Sequence, residues 1–371
     1  MYKLFTSESV AAGHPDKICD QVSDAIVDAA LKNDPSSRVA VETLVTTNRI
    51  VLAGEVTTSK KLDYEALARK VVRDLGYTDP ELGFSDQAEV EVYIHEQSKE
   101  ISHGVDQDGA GDQGMMFGFA NNETPELMPT PIILAHKLTE NLDSLRKKGT
   151  LPYLLPDGKS EVTIRYEGLK PTAVERVVLA VAHKKEIAEK ELAADLFKEL
   201  VVPSLEKFKF RVDQSAVIIN GAGPWTSPGP ASDTGLTGRK IVIDTYGGFA
   251  RAGGGAFSGK DPTKVDRSGA YAARFLAKNI VAENLADQVE VQVAYVIGQA
   301  QPVAKAIETF GTEKKSLKLI EDFAWNLLDL AVPHILTKLD LRKPIYQKTA
   351  SYGHFGRDHF SWEKTFPKKK N

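Results

Sequence analysis

Between Gly235 and Ser268 the chain reads GLTGRKIVIDTYGGFARAGGGAFSGKDPTKVDRS, setting glycines, cations and carboxylates side by side as polyphosphate chemistry requires. Gly253, Gly254 and Gly255 let the backbone approach a ligand with no Cβ in the way, and their N–H groups can face anionic oxygens. Arg239 and Lys240 stand before the apolar run Ile241 to Ile243, which is expected as a strand. Lys260 and Lys264 follow the glycines, with Asp261 and Asp266 beside them. Lysines neutralise phosphate directly, whereas carboxylates do so only by holding a divalent metal. The stretch therefore points to a metal-nucleotide site. Gly254 to Lys260 fits G-x-x-x-x-G-K, but Asp261 stands where a P-loop has Ser or Thr, and the next helix is expected near Asp266 rather than at the lysine. It is not an ordinary P-loop. A flexible surface loop with solvated lysines is the plainer alternative, and the density of Arg239, Lys240, Asp244, Lys260 and Asp266 favours function over it.

Other residues could act on the same chemistry. His14, Asp16 and Lys17 sit at the start of an expected helix, where the dipole favours anions; a phosphate could meet His14 while Asp16 takes a metal. An ordinary N-terminal cap with Pro15 in the first turn explains the same residues equally well. Glu42 and Glu55 fall inside strand patterns, where a carboxylate binds an ion or an amine or else faces solvent. Asp112 has glycines around it in GAGDQG, which suits a close substrate or a capped tight turn. Lys159 falls in Pro156-Asp157-Gly158-Lys159, which reads as a solvated turn. His354 and His359, among aromatics and without an acidic partner at a familiar spacing, read as packing rather than as metal ligands.

The elements that must position these residues repeat. A helix over Asp16 to Lys32, strands over Arg38 to Thr46 and Ile50 to Thr57, and a helix over Asp63 to Leu75 form one unit. A second runs through Pro131 to Arg146, Glu161 to Tyr166, Glu175 to His183 and Glu186 to Leu200. The third takes Asp266 to Ala286, Val289 to Ile297, Pro302 to Thr309 and Lys314 to Leu330. This predicts an α+β chain of three similar helix-strand-strand-helix domains in pseudo-threefold arrangement, each sheet covered by helices on one face. The expected boundaries are 1–101, 102–230 and 231–371, with elements free to interleave. Uncovered strand faces suggest a homodimer.

Composition narrows the class. A chain of 371 residues with 42% hydrophobic content can bury more than one core. Its net charge of -4 and lack of an aromatic-interleaved basic stripe give no sign of nucleic acid as a partner. No apolar run reaches membrane-spanning length and no leader pattern opens the chain, so a cytoplasmic place without membrane partners is expected. One cysteine, Cys19, excludes an intrachain disulfide framework, and its helical neighbours Ile18, Val22 and Ile26 make it a core residue.

Taken together, TSESV at Thr6 to Val10, GHPDK at Gly13 to Lys17, GAGDQG at Gly109 to Gly114, NET at Asn122 to Thr124, GLTGRK at Gly235 to Lys240, DTYGG at Asp244 to Gly248, GGGAFSGKD at Gly253 to Asp261, KVDRS at Lys264 to Ser268 and GHFGR at Gly353 to Arg357 resemble the S-adenosylmethionine synthetases. The resemblance covers nearly the whole chain. It implies transfer of the adenosyl group of ATP to the sulfur of L-methionine, then hydrolysis of the expelled triphosphate to diphosphate and phosphate. It further implies two Mg2+ and one K+ per site, and a homodimer or dimer of dimers with sites shared between subunits. By resemblance His14, Lys159, Arg239, Lys240 and Lys260 hold the triphosphate. Asp16 and Asp266 hold magnesium and Glu42 lies at the potassium site. Glu55, Gln97, Asp112, Asp157, Trp225, Asp233 and Lys264 contact the substrates. A polyphosphatase without methionine transfer and a non-catalytic nucleotide sensor are the alternatives.

The chain departs from the family pattern in places. Pro224-Trp225 stands where the family usually has Arg-Phe, Ser227 replaces an apolar residue, and the loop from Gly104 to Gly111 is short. Trp can stack on a base as Phe does, but Pro224 offers no N–H, so altered tolerance for nucleobase or methionine analogues is expected.

Overall fold

The computed structural model describes residues 3–96 and 109–366. Three sheets form, and each draws strands from distant parts of the chain. In the first, β1 (Leu4–Val10) pairs with β6 (Leu154–Glu167), which pairs with β7 (Lys170–His183), all antiparallel; β8 (Val217–Ile219) adds parallel to β7. In the second, β2 (Arg38–Thr46) lies between β3 (Arg49–Thr57) and the short β9 (Gly235–Leu236), while β4 (Glu89–His95) runs parallel to β3. In the third, β10 (Gln288–Tyr295) is flanked by β5 (Gly114–Asn121) and β11 (Ala304–Glu308). The fold is thus α+β, with three sheets interlaced in sequence.

One long helix backs each sheet. Helix α1 (Pro15–Asn33) packs on β2, α3 (Thr130–Lys147) on β1 and β6, and α7 (Val265–Ala282) on β5 and β10. Their bounds follow from local chemistry. Pro15 occupies the first turn of α1 and the His14 ring caps it; α2 (Tyr64–Leu75), which packs on α1, starts at the capping carboxylate of Asp63 and stops at Gly76, with φ +97°. Cys19 is fully buried in α1, as expected of a core residue. Among the described residues no helix is long and apolar enough to cross a membrane.

Some expectations are corrected. Ile241 to Ile243 form not a strand but a single helical turn, α6 (Ile241–Asp244), closed by the Asp244 N–H on the Lys240 carbonyl at 2.8 Å. Three apolar residues cannot distinguish the two periods, and β9 already occupies the neighbouring edge of β2. Lys159 is exposed, as expected, but lies in a strand and not in a turn. Strand β6 absorbs Pro-Asp-Gly as an irregularity between Leu154 and Gly158, because it is paired on both sides, and Lys159 faces Val10 and Ala180. The helix expected over Glu186 to Leu200 begins at Glu189 as α4 (Glu189–Asp195) and runs through a π turn into α5 (Val202–Glu206).

The packing of α1 is unusual in being charged. Asp16, Asp20, Asp24 and Asp28 recur every four residues, and the first three are at most 2% exposed. Each accepts backbone N–H groups from the last part of the chain. Asp16 takes Leu236 at 3.0 Å, Asp20 takes Gly238 at 2.8 Å, Asp24 takes Gly259 at 2.9 Å, and Asp28 takes Tyr346 and Gln347 at 2.8 and 3.0 Å. Asp24 also receives both arms of Arg267, from α7, at 2.7 and 2.8 Å, with both side chains fully buried. Removing one partner from such a pair leaves a buried charge uncompensated. Asp24→Ala is therefore expected to cost about 3–5 kcal/mol in urea unfolding, whereas the exposed Lys70 and Asp74 pair should cost under about 1 kcal/mol when broken.

Candidate active site

The candidate residues gather around two clefts that share no lining residue. The first, about 340 Å³, is lined by His14, Asp157, Lys159, Trp225 and Asp233. Its floor is set by close backbone packing: a Cβ on Gly13 would lie 1.5 Å from the Pro156 carbonyl oxygen, so only glycine lets the His14 turn rest on β6. The Nδ1 atom of His14 accepts the Asp16 N–H at 3.2 Å. Burial, together with the nearby Lys240 and Lys159, lowers the imidazole pKa to about 3. The ring is neutral, and with Nδ1 accepting, the proton resides on Nε2, which serves as a donor.

Beside that cleft Lys240 is bonded to Asp16 Oδ2, and the Arg239 Nε lies 4.0 Å from the same carboxylate. Burial alone would raise the Asp16 pKa, but Lys240 and the Leu236 N–H bring it below the ordinary value. Deeper, Lys17 is fully buried between Asp20, at 2.9 Å, and Asp244. Burial opposes its charge, and the two carboxylates outweigh it and raise its pKa. Burial also pushes Asp157 up to about 7; its Oδ2 accepts the Gly229 N–H at 2.8 Å while its Oδ1 has no partner. The Trp225 ring is held by its own Nε1–H, donated to the Ser227 carbonyl at 2.8 Å.

The second cleft, about 280 Å³, is lined by Glu42, Glu55 and Lys260. Glu42 is exposed, because the alternation of β2 that buries Val41 and Thr43 turns it to the outer face of the sheet. Glu55 is half-buried, 3.5 Å from His95. Lys260 joins the cleft through a bridge to Ala40 on β2, and its ammonium lies 2.5 Å from Asp266 Oδ2. Asp266 Oδ1 accepts the Gly255 N–H at 3.1 Å, and a Cβ on Gly255 would come within 2.7 Å of the Lys260 ammonium. The glycines thus let the loop fold over that ion pair. The GAGDQG segment reaches the same place: Gly111 packs on Thr263 and Lys264, and Gly114 on Asp266. Asp112 is exposed and accepts the Gln113 N–H at 2.7 Å. Lys264 is bonded to Asp261 at 2.7 Å, and burial of Asp261 is outweighed by that lysine, which holds its pKa low. Gln97 and residues 104–108 of the short loop lie outside the described residues.

His354 is buried against Tyr271 and Phe257 and does not join either cleft. Sequence reasoning missed Ser258, which lines the second cleft with a buried hydroxyl lacking a partner, and Asn220, whose amide clamps both backbone groups of Val181 beside the first. It also missed Asp20, Asp24 and Arg267 behind the clefts. The four-residue recurrence of aspartate along α1 was a visible signal for the acids.

The chain matches three family models: S-adenosylmethionine synthetase, N-terminal domain, over residues 2–99; central domain, over 107–225; and C-terminal domain, over 228–364. The S-adenosylmethionine synthase of Clostridium tetani is 50% identical over 380 residues, covering 98% of this chain and 97% of its own. That of Sorangium cellulosum is 50% identical over 369 residues, covering 97% and 87%, and that of Treponema denticola is 48% identical over 371 residues, covering 97% and 95%.

The neutrality of His14 gives a pH prediction. Its folded pKa of about 3 lies below the ordinary value of 6.5, so the unfolded chain binds the extra proton between those values. The contribution of His14 to stability is therefore complete above pH 6.5 and is lost as pH falls toward 3. Imidazole NMR should show His14 without titration from pH 8 to 4.5, and His14→Asn should flatten part of the acid limb of stability.

Proposed function

This chain belongs to the S-adenosylmethionine synthetase family, and we propose that its two clefts are halves of one active site completed by a second copy of the chain. The enzyme is a methionine adenosyltransferase, making S-adenosylmethionine. The observation that carries the composite site is the partition of charge. His14 and Lys159 line the first cleft, with Arg239 and Lys240 against Asp16 beside it, and Lys260 lines the second with Asp266 paired to it, yet a single triphosphate is the ligand each set suits. A homodimer that faces the first cleft of one protomer with the second cleft of its partner brings both sets to one ATP. Apolar side chains available for such an interface include Tyr93, 62% exposed, and Met115, 50% exposed.

In this arrangement the methionine sulfur attacks C5′ of ATP, the C5′–O bond breaks, and the triphosphate leaves with the bonding electrons. A thioether becomes a sulfonium without losing a proton, so no general base is needed. The demand is electrostatic, because charge accumulates on the leaving oxygen. One cation 4 Å from a unit negative charge contributes about 4 kcal/mol at an effective dielectric of 20, so Lys159, Arg239, Lys240 and Lys260 have ample means. His14 adds an Nε2–H donor. The free Oδ1 of Asp157 suits a ribose hydroxyl, Trp225 suits the base, and Asp233 lies beside them. Glu55, Asp112, Lys264 and Gln97 are assigned to methionine, the first two by charge toward its ammonium and Lys264 toward its carboxylate.

The family needs metal ions, and Asp16 and Asp266 fit two Mg2+. Among the described residues no three metal-ligating side chains cluster, which agrees with an ion held by one carboxylate, phosphate oxygens and water. Such ions neutralise triphosphate charge. Glu42, with the Ser258 hydroxyl on the same cleft, is assigned to one K+. Hydrolysis of the triphosphate to diphosphate and phosphate completes the cycle at the same cations.

Two experiments test this reading. With ATP, methionine, Mg2+ and K+, the enzyme should release S-adenosylmethionine, phosphate and diphosphate. His14→Ala and Lys260→Ala should each lose about 100-fold or more in kcat, while an equal mixture, after subunit exchange, should regain roughly a quarter of wild-type activity, since half the dimers carry one intact site. No recovery despite demonstrated exchange would overturn the shared site; phosphate without sulfonium product would indicate a polyphosphatase, and binding without turnover a sensor. Secondly, Pro224 supplies no N–H to a base edge, so kcat/KM for GTP or ITP should come within about tenfold of that for ATP. A preference for ATP above about 1000-fold would refute relaxed base recognition.

A further inference from the structure

We propose that Tyr77, a residue lining neither cleft, is a positioning residue that locks the two walls of the nucleotide cleft in register. The proposal rests on the assignment of that cleft to ATP. Tyr77 follows α2 directly and is fully buried. Its hydroxyl donates to the Gly13 carbonyl at 2.7 Å, one residue before His14. On its other side the same hydroxyl abuts Gly229, where a Cβ would lie only 2.2 Å away. Gly229 lines the cleft, donates its N–H to Asp157 Oδ2, and sits at φ +69°. One phenol therefore touches the turn that carries His14 and the turn that fixes Asp157 and follows Trp225.

Each contact restricts a different motion. The Gly13 carbonyl is buried with the turn that bears it, so the Tyr77 hydroxyl both satisfies it and sets its height above β6. At Gly229 the contact is steric, and it limits how far the 228–233 segment can move into the cleft. Phe84 packs edge-on against the Tyr77 ring at 5.6 Å and holds it from behind. The phenol and its support come from the segment after α2, whereas the walls come from the start of α1, from β6 and from the chain before β9. A ligand that spans both walls, as ATP does, senses their register. A ligand confined to the His14 and Lys159 wall senses it less.

The test compares full-length wild-type, Tyr77→Phe and Leu192→Ala enzyme. A hydrolysis-resistant ATP analogue should bind Tyr77→Phe about tenfold more weakly by calorimetry. Tripolyphosphate, which reaches one wall, should lose less than about threefold, and KM for methionine should stay within about twofold. Leu192→Ala, a change in the other hydrophobic core, away from Tyr77, should lower Tm while leaving the Kd for the ATP analogue within about twofold, which separates register from stability. Unchanged analogue binding by Tyr77→Phe, an equal loss for tripolyphosphate, or an equal loss in Leu192→Ala would each overturn the proposal. Should the wild type form no sulfonium product while Tyr77→Phe still weakens analogue binding selectively, the transferase reading falls and the role of Tyr77 stands.

Discussion

The acceptance of backbone N–H groups by the buried carboxylates of α1 is the constraint on which the rest of the molecule depends. Asp16, Asp20, Asp24 and Asp28 lie along one line of the helix, and their partners run from Leu236 to Gln347. A charged acceptor makes a stronger hydrogen bond than a neutral one, and a buried carboxylate without its donors costs several kcal/mol. Each segment is therefore held at a definite height along α1. The consequence reaches both clefts, because Leu236 and Gly238 precede Arg239 and Lys240, and Gly259 precedes Lys260.

The cations behind the clefts obey the same logic. Lys17 and Arg267 are fully buried and line neither cleft; they compensate Asp20, Asp244 and Asp24, so that the spine can be buried at all. Replacing such a set by apolar residues need not destabilise a fold, since ion burial is costly even when paired. What the charged set supplies is direction: a carboxylate and its donors fix one register, whereas an apolar helix face would accept several. A site that works by electrostatic complementarity needs its cations fixed before substrate arrives, and a spine of directional bonds meets that need better than a greasy interface.

How far the sequence could be read depended on the range of the forces involved. The bounds of α1, β2 and β3 were legible because caps, prolines and a two-residue alternation are local. Helix α7 was legible for its long apolar period. Strands β1 and β5 were not, since TSESV and GMMFGFAN become strands through pairing with Glu161 and its neighbours or with Val291 and its neighbours, far away in the chain. Lys159 misled for the same reason: Pro-Asp-Gly is a turn by local rules, and only two-sided pairing of β6 draws it into a sheet. The cleft residues were recognised as a set through their motifs. Their division between two clefts was not, because which face of β2 carries Glu42, and which turn rests on β6, are properties of packing.

That division bears on how the enzyme can hold its charges before it binds anything. Each carboxylate assigned to a metal is already bonded to a lysine assigned to phosphate: Asp16 to Lys240 and Asp266 to Lys260. Either pair standing alone satisfies its own charge, so neither carboxylate assigned to magnesium is left without a cation. If an ion arrived with the triphosphate at Asp16 or Asp266, the carboxylate would exchange ammonium for metal and the lysine would exchange carboxylate for phosphate. Opposite charges would then stay adjacent, and the exchange would avoid leaving a buried charge unpaired. Such an exchange would also couple the two ligands. The lysine would turn to phosphate at least cost when metal took its place, and the metal would complete its shell with phosphate oxygens and water. A site built this way would favour the metal-nucleotide complex over either component, as a reaction whose leaving group is a whole triphosphate demands.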